Sequence, residues 1–374
     1  MPTTYSDSGV HNEEKEKVSE ILYNAAKQTW DNRKGRIGEL IVPFDDFSGV
    51  RAIDVSNLPR GSLMNMGFDG VGTKIELAER TGNFRTVAFD LFAMVCDDAV
   101  VRGAEPVLIG SILDTNSLQD ANKNPFLEQV RQLAEGYVNA ARAANVAVVN
   151  GETAELGKRV SGYGPFNSNW AAAITWFAKR ERLFTGREIK PGDYLVGLVE
   201  DGFRSNGLSL ARKVFESKYG KNYHNHKFGE TTLGEAILTP SKIYSKAVVD
   251  MFGGYSQEPK TEVHGVVHVT GGGIPGKLGR VLKPSGLGAI IDNPFSPSLI
   301  MQHAQFLGNV SDIEAYKTWN MRHGMIIITP KPGEVEQIAF QHGIAAQYIG
   351  KVTQEPGIKI RNQGVQHSQE YLDF

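Results

Sequence analysis

The chain has 374 residues, enough for two domains, with a formal net charge of -2 and a single cysteine. This charge and a pI near 6.5 argue against binding to nucleic acid or to an anionic membrane. Cys96 alone cannot form an internal disulfide framework or a cysteine-based zinc cluster, and we expect it to be a small buried residue. The polar N-terminus lacks a signal-peptide core and no apolar run approaches ~18 residues, so we expect a soluble cytoplasmic protein.

Helical and strand patterns alternate along the chain, which indicates an α/β fold class. Helices are predicted at Asn12–Trp30, at Pro125–Ala144, and from Thr239-Pro240 through Val248. Strands are predicted at Ala171–Phe177, Tyr194–Val199, Gly288–Ile291 and Met325–Thr329. The charged, turn-forming stretch from Lys179 to Asp193 is the expected domain boundary. It divides the chain into an N-terminal domain of residues 1–180 and a C-terminal domain of residues 181–374.

The segment Phe68–Lys74 combines an acid, two glycines, a hydroxyl and a lysine. Gly70 and Gly72 would let backbone N–H groups approach a phosphate, Lys74 would supply a point charge, and Asp69 can hold a metal. The spacing is not that of a Walker A loop. An ordinary glycine-lysine turn is the alternative.

The stretch Asp90–Pro106 predicts an apolar helix that begins at Asp90, its cap, and ends at Gly103. Asp97 and Asp98 lie in the middle of that helix. Acids are rarely buried without a partner, because desolvating a carboxylate is expensive. Two adjacent acids therefore favour a divalent cation over a core position, with a pair of solvent-facing acids as the alternative.

The apolar run Val146–Val149 predicts a buried strand, and the turn after it carries Glu152 and Glu155. A buried strand delivers side chains to a site at its end, so we expect Glu152 to bind metal and Glu155 to be solvated. Mg²⁺ needs only one or two carboxylates beside phosphate oxygens and water, so Asp69, Asp98 and Glu152 would suffice. The alternative is a solvated loop with incidental charge.

Two segments in the second half have the pattern of anion sites at helix N-termini. Gly202–Arg212 is typical of a capped helix start and contains Ser205-Asn206-Gly207. His268–Pro275 places Gly271-Gly272-Gly273 between a strand and a predicted helix. A tight packing turn is an equal alternative for the triple glycine.

Together and in this order, these segments resemble the aminoimidazole ribotide synthetases, or phosphoribosylformylglycinamidine cyclo-ligases, a family within a superfamily of ATP-using proteins. The resemblance runs from Tyr5–Val10 to about Met325. Its specific parts are Asp69–Lys74, Asp90–Pro106, Gly151–Glu155, Ser205–Arg212, Leu238–Tyr244 and His268–Gly273, with weaker matches at Thr318–Asn320 and Gly324-Met325.

The chain departs from the family pattern mainly on the substrate side. The glycine-rich N-terminal loop of the family is replaced by Ile41–Gly49, whose Asp45–Gly49 part has one glycine. Asp97 stands where the family usually has asparagine, and Arg204 where it usually has histidine. Arg322-His323 interrupts a small-residue turn. These departures affect the identity of the substrate more than the use of ATP.

The resemblance implies a two-domain α/β (α+β) fold of mixed sheets with flanking helices. It implies a homodimer that pairs through the first domain near ATP, with Val107–Leu113 and Ala171–Phe177 as candidate pairing strands. The implied reaction is the ATP-dependent closure of formylglycinamidine ribotide to aminoimidazole ribotide through an iminophosphate.

The resemblance also implies the site residues. Mg²⁺ would be held by Asp69, Asp98 and Glu152, with Asp97 as a further acid; ATP phosphates by Gly70, Gly72, Thr73 and Lys74; and the ribotide or transferred phosphate by Ser205, Asn206, Gly207, Gly271, Gly272 and Gly273. His268 and Lys74 would be the catalytic side chains, with His268 as acid or base. A hydrogen-bonded strand histidine is an equal alternative for His268.

Other members of the superfamily are the nearest rivals. Selenophosphate synthetase needs a reactive cysteine or selenocysteine near the N-terminus, and this sequence has none before Cys96. The hydrogenase-maturation dehydratase needs a C-terminal cysteine, whereas this sequence ends in Glu370–Phe374. A thiamine-phosphate kinase-like enzyme, an enzyme that activates another amide, and a nucleotide-binding protein with a decayed substrate site remain alternatives.

Overall fold

A computed structural model describes residues 12–41 and 51–374 of the chain. The predictions made for Tyr5–Val10 and for the Asp45–Gly49 loop lie outside these residues. No helix in the described ranges is long and apolar enough to span a membrane.

The α-helices of the described residues are α1 (Asn12–Lys27), α2 (Ile75–Thr81), α3 (Val87–Val100), α4 (Leu127–Ala144), α5 (Leu208–Tyr219), α6 (Leu233–Ile237), α7 (Ser245–Phe252), α8 (Gly273–Leu282), α9 (Leu299–Gly308), α10 (Asp312–Thr318) and α11 (Pro332–Gln341). The strands are β1 (Leu40–Ile41), β2 (Ala52–Ile53), β3 (Ser62–Gly70), β4 (Glu105–Thr115), β5 (Ala147–Glu155), β6 (Ser168–Lys179), β7 (Tyr194–Val199), β8 (Lys227–Phe228), β9 (Thr231–Thr232), β10 (Gly265–His268), β11 (Gly288–Ile291), β12 (His323–Thr329), β13 (Ala346–Thr353), β14 (Ile358–Arg361) and β15 (Tyr371–Asp373). The predicted α/β class with mixed sheets is confirmed.

The first sheet has the strand order β3-β6-β4-β5, with α3 packed against one face. Successive side chains of a strand point to opposite faces, so each strand contributes to both. The helix-covered face buries Ile109, Leu113 and Trp170. The open face carries four exposed apolar side chains: Met64, Met66, Phe68 and Ile112.

Both strands that we expected to pair across a dimer lie inside this sheet. Val107–Leu113 belongs to β4 and Ala171–Phe177 to β6, and each has a neighbour on both sides. Within the described ranges the free edges are β3 and β5 instead. The interior strands are apolar because their helix-facing side chains are buried, so apolarity alone could not distinguish them from pairing strands.

The second sheet has the order β10-β12-β7-β13-β11-β14-β15 among the described residues. Since β7 and β10 both run antiparallel to β12, they run parallel to each other and end at the same sheet edge. The loops that follow Val199 and His268 therefore emerge side by side. This edge faces the first domain, because His268 bonds with a side chain of α3.

Buried acids of the first domain fasten the second domain to it. Asp90 Oδ1 accepts hydrogen bonds from Lys74 Nζ at 2.7 Å and from Ser241 Oγ at 2.5 Å. Two turns further along α3, Asp97 Oδ1 accepts from the backbone N–H groups of Tyr244 and Ser245, each at 2.9 Å. Helix periodicity puts both acids on one face of α3. The segment that resembles the family at Leu238–Tyr244 is thus a domain contact.

Two helix starts differ from prediction. Helix α3 begins at Val87 rather than at Asp90, so Asp90 is a buried partner of Lys74 and not the helix cap. The helix expected from Thr239-Pro240 begins only at Ser245. Its first N–H groups bind the Asp97 carboxylate, which acts as an anion at the helix N-terminus. Thr239–Tyr244 is a connection without regular secondary structure.

We predict that Lys74→Met lowers the free energy of unfolding by about 3–5 kcal/mol, because Asp90 is left as a buried charge without its cation. Urea denaturation measures the loss. Lys158→Met, at an exposed surface lysine, is the matched control and should change stability by no more than about 0.5 kcal/mol. The double variant Lys74→Met/Asp90→Leu should recover most of the stability. A loss below about 1 kcal/mol for Lys74→Met would contradict the structural role of the pair.

Candidate active site at the domain junction

Two carboxylates meet at the junction, one from a strand and one from a helix. Asp69 lies next to the end of β3 and faces α3, since its neighbour Phe68 points to the open face. Asp98 lies on α3 beside it. Burial raises the pKa of Asp69; the hydrogen bond from the Gly70 N–H at 2.7 Å opposes this rise, and the negative charge of Asp98 adds to it. Two such carboxylates suit a divalent cation.

Asp98 is held by a histidine of the second domain. Its Oδ1 lies 2.7 Å from His268 Nδ1, and its side chain is 63% exposed although the histidine is buried. Desolvation by the surrounding protein disfavours the charged carboxylate. The His268 hydrogen bond and the positive charges of Lys277 and Arg204 outweigh this effect, so the pKa of Asp98 is lowered. Asp98 therefore carries its negative charge at neutral pH.

Arg204 is the centre of a buried charged network. Its Nη1 donates to Glu200 Oε2 at 2.8 Å and to the Lys242 carbonyl at 3.1 Å. Its Nη2 donates to Asp97 Oδ2 at 3.0 Å and faces His268 Nε2 at 2.8 Å. Burial opposes the guanidinium charge, but the two carboxylates outweigh it and raise the pKa of Arg204. The network joins α3 to the loops after β7 and β10.

The structure does not support Asp97 as a metal ligand. Both of its oxygens are occupied, Oδ1 by two backbone N–H groups and Oδ2 by Arg204. Its side chain is fully buried. Asp98 is the exposed member of the adjacent pair, because neighbouring positions on a helix point in different directions.

Within one chain the side chains of Glu152 and Asp69 lie on opposite faces of the first sheet, although both residues border one surface pocket. Across the first sheet Glu152 pairs with Ile112, which pairs with Ala171, whereas Asp69 pairs with Ala172. This one-residue offset places the two side chains on opposite faces. They are also three strands apart, roughly 14 Å at the usual spacing. The described residues contain no group of three or more acids, histidines or cysteines that could hold a metal.

The predicted phosphate role of Lys74 is not supported either. Its side chain is fully buried, and Nζ bonds to Asp90 Oδ1 and to the Thr239 carbonyl at 2.5 Å. Gly72 and Thr73, which begin the same short 3-10 helix, remain exposed. This turn contacts α5. The Phe68–Lys74 segment therefore combines a site residue, Asp69, with a structural one.

The two predicted anion segments of the second domain come together. A side-chain carbon added at Gly271 would lie 3.7 Å from Asn206 Nδ2. Gly271 and Gly272 are exposed, and Ser205 Oγ and Asn206 Oδ1 are buried without a hydrogen-bond partner. These unpartnered polar atoms can still form hydrogen bonds with water or with a polar ligand.

Gly273 is different from the two glycines before it. A side-chain carbon there would lie 1.9 Å from the Tyr316 carbonyl oxygen, and its φ of 62° also favours glycine. The triple glycine is therefore both a packing turn, at Gly273, and an open loop, at Gly271 and Gly272. The two interpretations that the sequence left open apply to different residues.

Two positively charged residues near Asp98 were not predicted from the sequence as parts of this site. Lys277 lies one turn into α8, and its charge acts on both Asp69 and Asp98. Arg204 entered only as a departure from the family pattern. A lysine four residues after the triple glycine was a usable signal, because it projects from the same helix start.

A cavity of about 360 Å³ lies between α1 and the first sheet. Aromatic and apolar side chains of Tyr23, Tyr137 and Trp170 line it, with Lys15 and Arg51 as basic groups. The Trp170 Nε1–H is buried without a hydrogen-bond partner. The segment Asn150–Thr153 forms part of its wall, so the Gly-Glu-Thr motif borders a cavity.

These features define a class: a two-domain α/β enzyme whose charged site is built at the domain junction. Residues 51–168 match the AIR synthase related protein, N-terminal domain, and residues 190–362 match the AIR synthase related protein, C-terminal domain. The chain belongs to the AIR synthase related family, as the sequence resemblance predicted, and this family uses ATP.

Three relatives that align with this chain over nearly their full length share one name. Proteins named phosphoribosylformylglycinamidine cyclo-ligase from Thermococcus kodakarensis and Pyrococcus furiosus are 31% and 30% identical, over 97% of this chain and 99% and 98% of theirs. The protein of that name from Methanococcoides burtonii is 33% identical over 96% of this chain and 97% of its own.

Solved structures share the fold. E. coli HypE has a TM-score of 0.59 at 15% identity and covers 95% of this chain and 98% of its own. Thiamine-monophosphate kinase from Stenotrophomonas maltophilia has a TM-score of 0.58 at 13% identity and covers 92% of this chain and 96% of its own.

We predict that Asp98→Asn weakens Mn²⁺ or Mg²⁺ binding by about tenfold or more, because it removes an exposed carboxylate beside Asp69. The adjacent Asp97→Asn is the matched control: it should cost stability but change metal affinity by less than about twofold, because Asp97 is enclosed. Mn²⁺ titration followed by paramagnetic resonance measures both. Equal weakening in the two variants would return Asp97 to the metal site.

Proposed function

We propose that the chain catalyses ATP-dependent closure of formylglycinamidine ribotide to aminoimidazole ribotide in purine biosynthesis. The observation that carries the proposal is the near-complete coverage of relatives named cyclo-ligase. The junction site supports the proposal, because Asp69 and Asp98, which could bind a cation, lie near glycine-containing loops that could bind phosphate. The γ-phosphoryl group of ATP transfers to the amide oxygen, the amidine nitrogen attacks the resulting iminophosphate carbon, and phosphate leaves with the former amide oxygen as the ring closes.

Asp69 and Asp98 fit Mg²⁺, since both offer carboxylate oxygens to one solvent-accessible place. When bound there, Mg²⁺ would neutralise charge on the transferring phosphoryl group. Lys277 lies close enough to act electrostatically on both carboxylates, and we propose that it contacts a phosphate oxygen during transfer. Phosphoryl transfer mainly requires such positioning and charge.

We propose that the ribotide phosphate binds where α5 and α8 begin. These helices have 12 and 10 residues, and their N-termini follow the Ser205–Gly207 and Gly271–Gly272 loops. The free N–H groups of a helix start favour an anion. The unpartnered Ser205 Oγ and Asn206 Oδ1 supply further polar groups for the sugar.

The cavity beneath α1 is our candidate for the ATP base. Its wall includes Ser111, which faces the same side of the sheet as Asp69 and lies two strands away. Two strand spacings are on the order of 10 Å, within reach of an extended nucleoside triphosphate. Aromatic walls with a buried indole N–H suit a purine.

We propose that the protein is a cytoplasmic homodimer joined through the open face of the first sheet. This face exposes four large apolar side chains: Met64 (61%), Met66 (48%), Phe68 (74%) and Ile112 (53%). A contiguous exposed apolar patch of this kind is typical of a protein interface. Two copies related by a twofold axis would bury this face and join the free edges β3 and β5. Joining β5 of one copy to β3 of the other would place the positions of Glu152 and Asp69 on neighbouring strands. Glu152 could then serve a metal site in the second copy.

The proposed reaction is tested by ADP release with and without formylglycinamidine ribotide, at saturating Mg²⁺. ADP formation that depends on the ribotide, with aminoimidazole ribotide as product, supports the proposal. ADP formation that depends on added thiamine phosphate and not on the ribotide indicates a thiamine-phosphate kinase-like enzyme. ATP binding without turnover indicates a decayed substrate site. Either of the last two results would contradict the cyclo-ligase assignment.

Mixed dimers test whether Glu152 acts across the interface. Asp69→Asn and Glu152→Gln homodimers should each lose most activity. Co-refolding equal amounts should restore about one quarter of wild-type activity, because half of the dimers are mixed and each has one intact site. No recovery, with heterodimers verified by native mass spectrometry, would place both residues in the site of the same copy. Full activity of the Glu152→Gln homodimer would leave Glu152 out of the site.

Gly271→Val tests the phosphate loop. The position has ordinary space for a side chain, so the fold should hold, but the added bulk should raise the KM for the ribotide by about tenfold or more and leave the KM for ATP unchanged. Gly273→Ala is the control for packing and should lower thermal stability. Equal changes in both KM values for Gly271→Val would refute the phosphate assignment.

A further inference from the structure

His268 occupies the position where the sequence predicts an acid or base, but both of its ring nitrogens are occupied. Nδ1 lies 2.7 Å from Asp98 Oδ1, and Nε2 lies 2.8 Å from Arg204 Nη2. The ring is buried. A histidine enclosed in this way has no nitrogen free to reach a substrate.

Arg204 decides which nitrogen carries the proton. A guanidinium has only donors, so the contact at Nε2 requires this nitrogen to accept. A neutral imidazole has one donor and one acceptor, so the ring N–H is at Nδ1 and donates to Asp98. The guanidinium is itself fixed, since Glu200, the Lys242 carbonyl and Asp97 take its other Nη hydrogens.

The backbone at Arg204 indicates that this arrangement is imposed by the fold. Its φ is 61°, in the left-handed region that non-glycine residues rarely adopt. Such strain persists only where surrounding contacts over-determine the conformation, and it is concentrated at functional sites. Four side-chain hydrogen bonds from one buried guanidinium meet that condition.

We propose that Arg204 and His268 are positioning residues for Asp98, and that His268 transfers no proton in the reaction. Arg204 fixes the ring so that its Nδ1–H holds Asp98 Oδ1, which leaves Oδ2 for the cation. This inference rests on the proposed function at one point only, which is the identity of the substrate on which the bound cation acts. It replaces the acid or base role that the sequence predicts for His268.

The ring arrangement can be measured without substrate, metal or turnover. In protein labelled with ¹⁵N-histidine, His268→Gln identifies the His268 signals among the nine histidines. We expect a protonated Nδ1 and an accepting Nε2 in the wild type. Arg204→Met should remove the accepting signature of Nε2. Arg33→Met is the matched control, because it breaks another buried pair, with Glu105, and should leave the His268 signals unchanged.

Two variants at His268 separate positioning from proton transfer and do not depend on the folding of Arg204→Met. An asparagine amide can be placed near the Nδ1 position and can donate to Asp98, but it cannot act as a general base. If His268 only positions Asp98, His268→Asn should keep both Mn²⁺ affinity and turnover within about tenfold of wild type. His268→Ala should then have Mn²⁺ affinity and turnover about tenfold lower than those of His268→Asn. Proton transfer predicts an equal loss of turnover, about 10²-fold or more, in both.

The outcomes decide the proposal separately from the cyclo-ligase assignment. A protonated Nε2 in the wild type, or equal loss in His268→Asn and His268→Ala, would overturn it. If the ribotide proves not to be the substrate, the ¹⁵N spectrum and Mn²⁺ affinity still test it. Retained Mn²⁺ affinity in His268→Asn together with its loss in His268→Ala would support it.

Discussion

The structure depends on charged side chains buried along helix α3. Burying a carboxylate is costly unless a cation or N–H groups satisfy it. Groups from other segments bind both acids: Lys74 and Ser241 bind Oδ1 of Asp90, and Arg204 with two backbone N–H groups binds both oxygens of Asp97. Because these partners include second-domain groups, the two domains are held in one arrangement. Asp98, next along the helix, is then placed at the junction with one oxygen bound and the other accessible.

This arrangement explains how one helix can serve both stability and chemistry. Residues that face the second domain are buried and paired, and the adjacent residue that faces Asp69 is exposed. A further buried pair, Arg33 with Glu105, fastens the domains at another point, since Glu105 also accepts from the Tyr255 N–H at 2.9 Å. The site thus rests on rigid elements, which is what phosphoryl transfer requires of its positioning groups.

Much of the fold could be predicted from local patterns. The strands Tyr194–Val199 and Gly288–Ile291 have the predicted bounds, helix α4 ends at Ala144 as expected, and Cys96 is buried. The family order of motifs led to the correct family. Asp69 lies near Asp98, and Gly271 lies beside Asn206, but the ligands assigned to these residues stay predictions.

The failures have one physical cause: local patterns do not contain tertiary pairing. A buried lysine and a phosphate-binding lysine look alike in Phe68–Lys74, and only the proximity of Asp90 distinguishes them. The pairing register of the strands places Glu152 and Asp69 on opposite faces of the sheet. This register depends on several strands together and cannot be deduced from any single segment. The late start of α7 depends on a carboxylate almost 150 residues earlier.

A crystal structure with Mn²⁺ and a non-hydrolysable ATP analogue would test these assignments most directly, with the metal located by anomalous scattering. We expect a metal peak at Asp69 and Asp98, with Asp97 still bound to Arg204 and Lys74 still bound to Asp90. A peak coordinated by Asp97, or Lys74 released to the phosphates, would show that the assignments are wrong.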